Sequence, residues 1–216
     1  IRNCLVGSEM CIRDSFKSEQ NPIHPYRLAY EINEFLEEDT IYIGDGGDIV
    51  TISAQAVRPR GPGQWMDPGA LGSLGVGTGF SMAAKLAHPN KEVVCLYGDG
   101  SFGMTAFDME TAQRFGAPYL AIVGNNSAMN QIRYGQISKY GSQRGGVGNK
   151  LGDVDFSLFG KMIGGYGEEV REASQIRPAL LRAREAIAKT GKCAVVNVWV
   201  VPNEYAPGTK AQTMYK

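Results

Sequence analysis

Val93-Val94-Cys95-Leu96-Tyr97-Gly98-Asp99-Gly100-Ser101 is a strand-sized apolar run that ends in a glycine-flanked carboxylate. The twenty-four residues from 101 to 124 separate that turn from Asn125-Asn126, which follows a second apolar run, Tyr119 to Val123. Short continuous apolar runs bounded by glycine read as strands buried on both faces, the type found in parallel sheets covered by helices. The interval leaves room for the helical crossover that parallel pairing requires.

Working outward, the period of the apolar residues alternates between helix and strand. Leu28, Ile32, Phe35 and Leu36 share one face of a helix over Pro25 to Glu37, and Ile41-Tyr42-Ile43 reads as a short buried strand. Further helices are expected over Asp48 to Ala56 and through the glycine-rich stretch from Gly72 to Leu86. Another is expected from a capping box at Thr105-x-x-Asp108 to about Phe115. Phe156 to Ile163 suggests a helix and Glu168 to Val170 a strand. Ile176, Leu180, Ala183 and Ile187 line a final helix before the β-branched strand Cys193 to Val201. The segment Gly141 to Gly152 reads as a flexible loop. Strands separated by helix-length segments predict an α/β fold, an open and mostly parallel sheet with helices on both faces.

Composition narrows the function classes. With 216 residues, 43% of them hydrophobic, the chain can bury the core of one domain. The 22 basic and 22 acidic residues cancel, so no global field favours nucleic acid or a membrane surface. Cysteines 4, 11, 95 and 193 form no C-x-x-C pair, and His24 and His88 are the only histidines, which is poor material for a zinc site. No apolar run is long enough to span a membrane and the N-terminus lacks a secretory apolar region, so a cytoplasmic location is expected. Residues 1 to 15 follow neither period and resemble a translated technical sequence. The domain is therefore expected over 16 to 201, with a tail from 202 to 216.

Parallel sheets bind ligands at the carboxyl ends of their strands. Three turns fall there: Gly44-Asp45-Gly46-Gly47-Asp48, Gly98-Asp99-Gly100 and Gly124-Asn125-Asn126. Such turns expose backbone N–H groups to phosphate oxygens. Asp99 would repel a diphosphate by about 4 kcal/mol per charge pair at contact distance in a dielectric near 20. Arg114 is the only basic residue between Cys95 and Asn130, so a divalent cation is the better partner. Asp99, the Asn126 side-chain oxygen and a backbone carbonyl near Ala128 make an oxygen-only ligand set that suits magnesium. Two other motifs fail. Asp99-Gly100-Ser101-Phe102-Gly103 lacks the first glycine of a hydrolase elbow, and the glycines from Gly72 to Gly79 follow no strand, as a dinucleotide fingerprint would require.

The G-D-G-S and N-N pair resembles the diphosphate and magnesium motif of thiamine diphosphate enzymes, in the C-terminal cofactor-binding domain of the acetolactate synthase and decarboxylase superfamily. The resemblance covers Asn21 to Val201. It implies thiamine diphosphate and Mg2+ as cofactors, with Asp99, Asn126 and the Ala128 carbonyl as metal ligands. It also implies cofactor contacts from Gly47 and Asp48, from Gly98, Gly100 and Ser101, and from Asn126, Ala128 and Met129. Gly72-Ser73-Leu74-Gly75 resembles the segment that grips the aminopyrimidine, Leu74 propping the cofactor in a bent form and the Gly72 carbonyl accepting from its exocyclic amine.

Within the superfamily, Met66 to Gly77 and Phe102-Gly103-Met104-x4-Met109-Glu110-Thr111 look most like the 2-hydroxyacyl-CoA lyase and oxalyl-CoA decarboxylase group. Glu204 to Lys216 looks like a lyase-type tail able to cover the site. Ser127-Ala128-Met129-Asn130 departs from the glycines and aromatic more usual there, and Gly46-Gly47-Asp48 departs from an asparagine-bearing turn. The resemblance further implies an acyl-CoA or 2-oxoacid substrate and at least a dimer. An activating glutamate is expected from a pyrimidine-binding domain outside this chain. Acetolactate synthesis, 2-oxoacid or oxalyl-CoA decarboxylation, a separately encoded subunit of a split enzyme, and a degenerate partner-binding domain are the alternatives.

Overall fold

The computed structural model describes residues 12 to 202. The expectation of a possible lid over Glu204 to Lys216 lies outside them. Within the segment expected to be foreign, residues 12 to 15 are helical, and Ile12 and Phe16 pack against Tyr26, Ala29, Ile52 and Ala56.

Fourteen regular elements position the site. In chain order they are α1 (Pro25–Phe35), β1 (Ile41–Asp45), α2 (Asp48–Ala56), β2 (Trp65–Met66), α3 (Val76–Ala87) and β3 (Val93–Gly98). There follow α4 (Asp99–Thr105), α5 (Asp108–Arg114), β4 (Leu120–Asn125), α6 (Asn130–Gly145), α7 (Ser157–Met162), β5 (Tyr166–Val170), α8 (Ile176–Thr190) and β6 (Ala194–Trp199). The six strands form one sheet in the order β2-β1-β3-β4-β6-β5, every pairing parallel.

The strands bury both faces because successive side chains point opposite ways. Tyr42, Val94, Leu96, Leu120 and Ile122 face Leu28, Ile32 and Phe35 of α1 and Ile176, Leu180 and Ala183 of α8. Ile43, Cys95, Tyr97, Ala121 and Val123 face the opposite layer, Ala84 of α3, Phe102 of α4 and Met109 and Ala112 of α5. Cys95 and Cys193 are free thiols within that second layer, small apolar fillers as their sequence context suggests. Helix α1 starts at Pro25, whose fixed φ suits the first turn, and His24 caps it by accepting from the Tyr26 N–H at 3.2 Å.

Register fixes the place of the site. Asp45 lies opposite Tyr97, and Gly98 opposite Gly124, so the ends of β1, β3 and β4 stand side by side on the carboxyl edge. The chain runs outward from β1 to β2 and then returns to β3 on the other side of β1. That reversal is where open parallel sheets leave a crevice.

Four local expectations are corrected. The helix expected from Gly72 begins at Val76, because Gly72 and Gly75 adopt left-handed φ of 62° and 84° and interrupt any earlier turn. Thr105 caps nothing: it ends α4, and α5 has no side-chain cap. Gly98-Asp99-Gly100 leads directly into α4, a helix the sequence reading did not place before Thr105. The first part of the expected loop from Gly141 belongs to α6, which kinks where Gly141 leaves helical geometry. Sequence periodicity missed α6 because only Asn130 and Gly145 of its sixteen residues are buried.

Candidate functional site

A cavity of about 390 Å³ opens in the crevice. Gly46 to Asp48 line it from the first turn, Gly98 to Ser101 from the second, and Asn126 and Ala128 to Gln131 from the third. Gly72 and Leu74 close its far side. All the residues singled out from the sequence line the cavity except Ser73, which is exposed. Ser101 contributes position rather than a free hydroxyl, because its Oγ lies 2.8 Å from the Asp45 carbonyl and 3.0 Å from the Gly98 carbonyl. It ties the ends of β1 and β3 together.

Asp99 is the electrostatic centre. Only 4% exposed, it accepts from the Gly100 N–H at 2.7 Å through Oδ1. Through Oδ2 it accepts from the N–H groups of Asn126 at 3.0 Å and Ala128 at 3.1 Å. Burial pushes its pKa up, and the backbone donors of Gly100, Ala128, Asn126 and Ser127 pull it back down. One carboxylate thus fixes the second turn against the third.

The two asparagines divide their tasks. Asn125 is fully buried and donates to the Val154 carbonyl at 2.8 Å and to Asn197 Oδ1 at 3.0 Å, tying β4 to β6. Its Oδ1 accepts from the Ser127 N–H at 3.1 Å, supporting a left-handed Ser127 with φ of 57°. Asn126 turns to the cavity, its Oδ1 3.2 Å from the Ala128 N–H.

Asp48 and Asn130 stand at the first turns of α2 and α6, close enough for the Asn130 amide to act on the Asp48 carboxyl, while that amide donates to the Pro202 carbonyl. Burial lifts the Asp48 carboxyl to about 6, the Asn130 amide opposes the rise, and the charge of Asp99 adds to it. Asp48 Oδ2 and Asn130 Oδ1 are buried without a hydrogen-bond partner among the described residues. A carboxyl whose native pKa exceeds its unfolded value costs stability once ionised, here about 3 kcal/mol above pH 6. The cost is relieved as pH falls through 6 and is gone near 4, where the unfolded chain is protonated too. Asp48→Asn in the cofactor-free chain is therefore expected to raise Tm by several degrees at pH 7. The gap from the parent should close as thermal melts are taken down to pH 4, and a constant gap would refute the assignment.

Sequence reasoning passed over Asp45 as a site residue. It is fully buried, and its carboxylate accepts from the N–H groups of Gly75 at 3.0 Å and Gly77 at 2.7 Å. Those bonds hold the Gly72 to Leu74 segment over the cavity. The signal was present, since Gly44-Asp45-Gly46 repeats at the end of β1 the pattern that Gly98-Asp99-Gly100 shows at the end of β3.

Among the described residues the lining includes three carboxylates, Asp48, Asp67 and Asp99, and no lysine or arginine. Helices α2 and α6 both start at the cavity without a side-chain cap, leaving N–H groups and positive dipole ends for an anion. Anion-binding backbone beside buried carboxylates is the pattern of a phosphate ester held through a cation. Residues 45 to 198 match the family described as thiamine pyrophosphate enzyme, C-terminal TPP binding domain. The chain belongs to that family.

Its curated relatives include proteins named as 2-hydroxyacyl-CoA lyases and as acetolactate synthases. The 2-hydroxyacyl-CoA lyase 2 of Danio rerio is 36% identical over 195 residues, covering 89% of this chain and 31% of that protein. The human protein of the same name is 35% identical over 190 residues, 88% of this chain and 30% of its own length. Acetolactate synthase large subunit IlvG of Mycobacterium tuberculosis is 33% identical over 207 residues, 94% of this chain and 37% of the synthase. The chain spans about a third of the length of the curated relatives it matches.

The residues fit the family's cofactor. The uncapped starts of α2 and α6 suit its diphosphate. Leu74, partly buried on the opposite wall, offers an apolar surface to a ring. No helix among the described residues is long and apolar enough to cross a membrane.

Proposed function

We propose that this chain is the cofactor-binding domain of a magnesium- and thiamine diphosphate-dependent carbon–carbon lyase that cleaves a 2-hydroxyacyl-CoA to a carbonyl product and formyl-CoA. The observation that carries the reading is the Asp99 carboxylate, fixed by the backbone of Asn126 and Ala128 in a cavity that no basic side chain lines among the described residues. Asp99, the Asn126 side-chain oxygen and the Ala128 carbonyl would hold Mg2+. Among the described residues no three His, Cys, Asp or Glu side chains cluster, so amide and carbonyl oxygens must complete the set. Asp48, Gly98, Gly100 and Met129 would border the diphosphate, and Gly72 and Leu74 the aminopyrimidine.

When bound, thiamine diphosphate supplies the electron sink that makes cleavage beside a carbonyl feasible. This chain's own part is to bind, bend and orient it and to keep water from the buried carboxylates. The glutamate that activates the aminopyrimidine would come from a pyrimidine-binding domain, either elsewhere in a longer polypeptide or on another subunit, so the working unit is at least a dimer.

The lyase names among the relatives favour a 2-hydroxyacyl-CoA substrate, and the synthase names favour the joining of two 2-oxoacids as the second reading. The test is to offer the complete enzyme containing this domain a 2-hydroxyacyl-CoA and, separately, pyruvate. Formyl-CoA release with both cofactors present supports the lyase; acetolactate without formyl-CoA supports the synthase; turnover by the 216-residue chain alone would contradict the missing glutamate.

A further inference from the structure

Gly75 is held from two sides. Its N–H donates to Asp45 Oδ1 at 3.0 Å, and its carbonyl accepts from Thr105 Oγ at 3.1 Å. The same threonine is packed against the turn, since a Cβ built on Gly75 would lie 3.1 Å from its methyl group. Gly75 immediately follows Leu74 and ends the Gly72 to Gly75 turn before α3. A free left-handed glycine is the most pliable point in a backbone, so these two bonds decide where Leu74 stands.

Behind Thr105 runs a file of buried hydroxyls. Thr105 Oγ is 3.3 Å from Thr78 Oγ, which is 3.1 Å from the Tyr97 hydroxyl, itself 3.0 Å from that of Tyr119. Thr78 and Tyr97 are fully buried and Tyr119 is 1% exposed. Burial pushes both phenols well above their usual range, so they remain O–H donors. Hydroxyls in such a file must be satisfied by one another, which restricts each to few orientations.

Thr105 is also the last residue of α4, whose first is Asp99. At 1.5 Å per residue, six steps of helix set roughly 9 Å between the two backbone positions. One short helix therefore spans from the carboxylate at the cation end of the cavity to the threonine that holds the Leu74 turn.

We propose that Thr105 is a positioning residue that, with Asp45, clamps the Gly75 peptide and through α4 sets the Leu74 wall at a fixed distance from Asp99. The inference deepens the functional reading above, because the spacing matters only if one ligand touches both ends.

The experiment compares Thr105→Val, which keeps shape and removes the hydroxyl, with Thr105→Ser, which keeps the hydroxyl. Hydrogen exchange in the cofactor-free 216-residue chain reads the clamp directly. Thr105→Val should speed exchange of the Gly75 and Gly77 amides by about tenfold, with β3 and β4 unchanged. Titration of the complete enzyme with thiamine diphosphate and Mg2+ should show affinity about five- to tenfold weaker, and Thr105→Ser should restore both readouts. Unchanged exchange at Gly75, acceleration spread evenly over the sheet, or equal behaviour of the valine and serine variants would overturn the proposal. If the complete enzyme takes up no cofactor while Thr105→Val still loosens Gly75 in the 216-residue chain, the clamp stands and the cofactor reading falls.

Discussion

Asp99→Ala in the complete enzyme is expected to weaken magnesium-dependent binding of thiamine diphosphate by at least about 100-fold, equivalent to about 2.7 kcal/mol. Two effects add. The substitution removes the only charged group proposed to touch the cation, and it releases the Asn126 and Ala128 N–H groups that the carboxylate holds at 3.0 and 3.1 Å. Those donors then face the diphosphate space without a fixed orientation. Loss of folding would produce the same readout, so Asp99→Asn is the companion variant. It keeps the size of the side chain and an oxygen to accept from Asn126 and Ala128, but sets its NH2 against the Gly100 N–H, so it should lower Tm less than Asp99→Ala while still losing magnesium dependence. Isothermal titration with and without Mg2+ checks both variants, and parent-like affinity in either would remove Asp99 from the ligand set.

Gly77→Ala should cost about 3 kcal/mol of stability, a fall in Tm of roughly 10 °C for a chain of this size. A Cβ there would lie 2.5 Å from a ring carbon of Tyr97, 2.8 Å from the Asp45 Cβ and 2.8 Å from the Cys95 sulfur. All three belong to β1 and β3, in the sheet interior, so none can yield without moving a strand. The Gly77 N–H is also the shorter of the two bonds to Asp45, so relief by shifting α3 would pull the Leu74 turn off the cavity. Thermal melts and cofactor titration should therefore fail together. A stable Gly77→Ala chain would show that α3 sits further from the sheet than described.

Apart from β2, α4 and α6, the order of strands and helices was legible because the relevant physics is local. Val93 to Tyr97 and Tyr119 to Val123 are apolar without interruption, and only a strand covered on both faces makes use of such a run. The regular faces of α1 and α8 were equally plain, since the same residues that set the 3.6-residue period bury against the sheet. The G-D-G and N-N turns were legible too, because glycine, carboxylate and amide at strand ends carry their chemistry in their residue types. The polar α6 left no such trace, and the glycines from Gly72 to Gly75 could not by themselves show where α3 begins.

What only the tertiary structure decided is how those turns are joined. Nothing in the spacing distinguishes Asn125, committed inward to Asn197 and Val154, from Asn126, turned to the cavity. Nor does it show that Asp45 serves the Gly75 turn thirty residues on, that Ser101 spends its hydroxyl on strand ends, or that Thr105 reaches back to Gly75 instead of capping a helix. Residue type and period determine which backbone states are cheap, and these are properties of neighbours in the chain. Partnership of a buried polar group is settled by which strands lie side by side, and that is fixed only when the sheet order β2-β1-β3-β4-β6-β5 assembles and brings Asp45, Gly98 and Gly124 into one row.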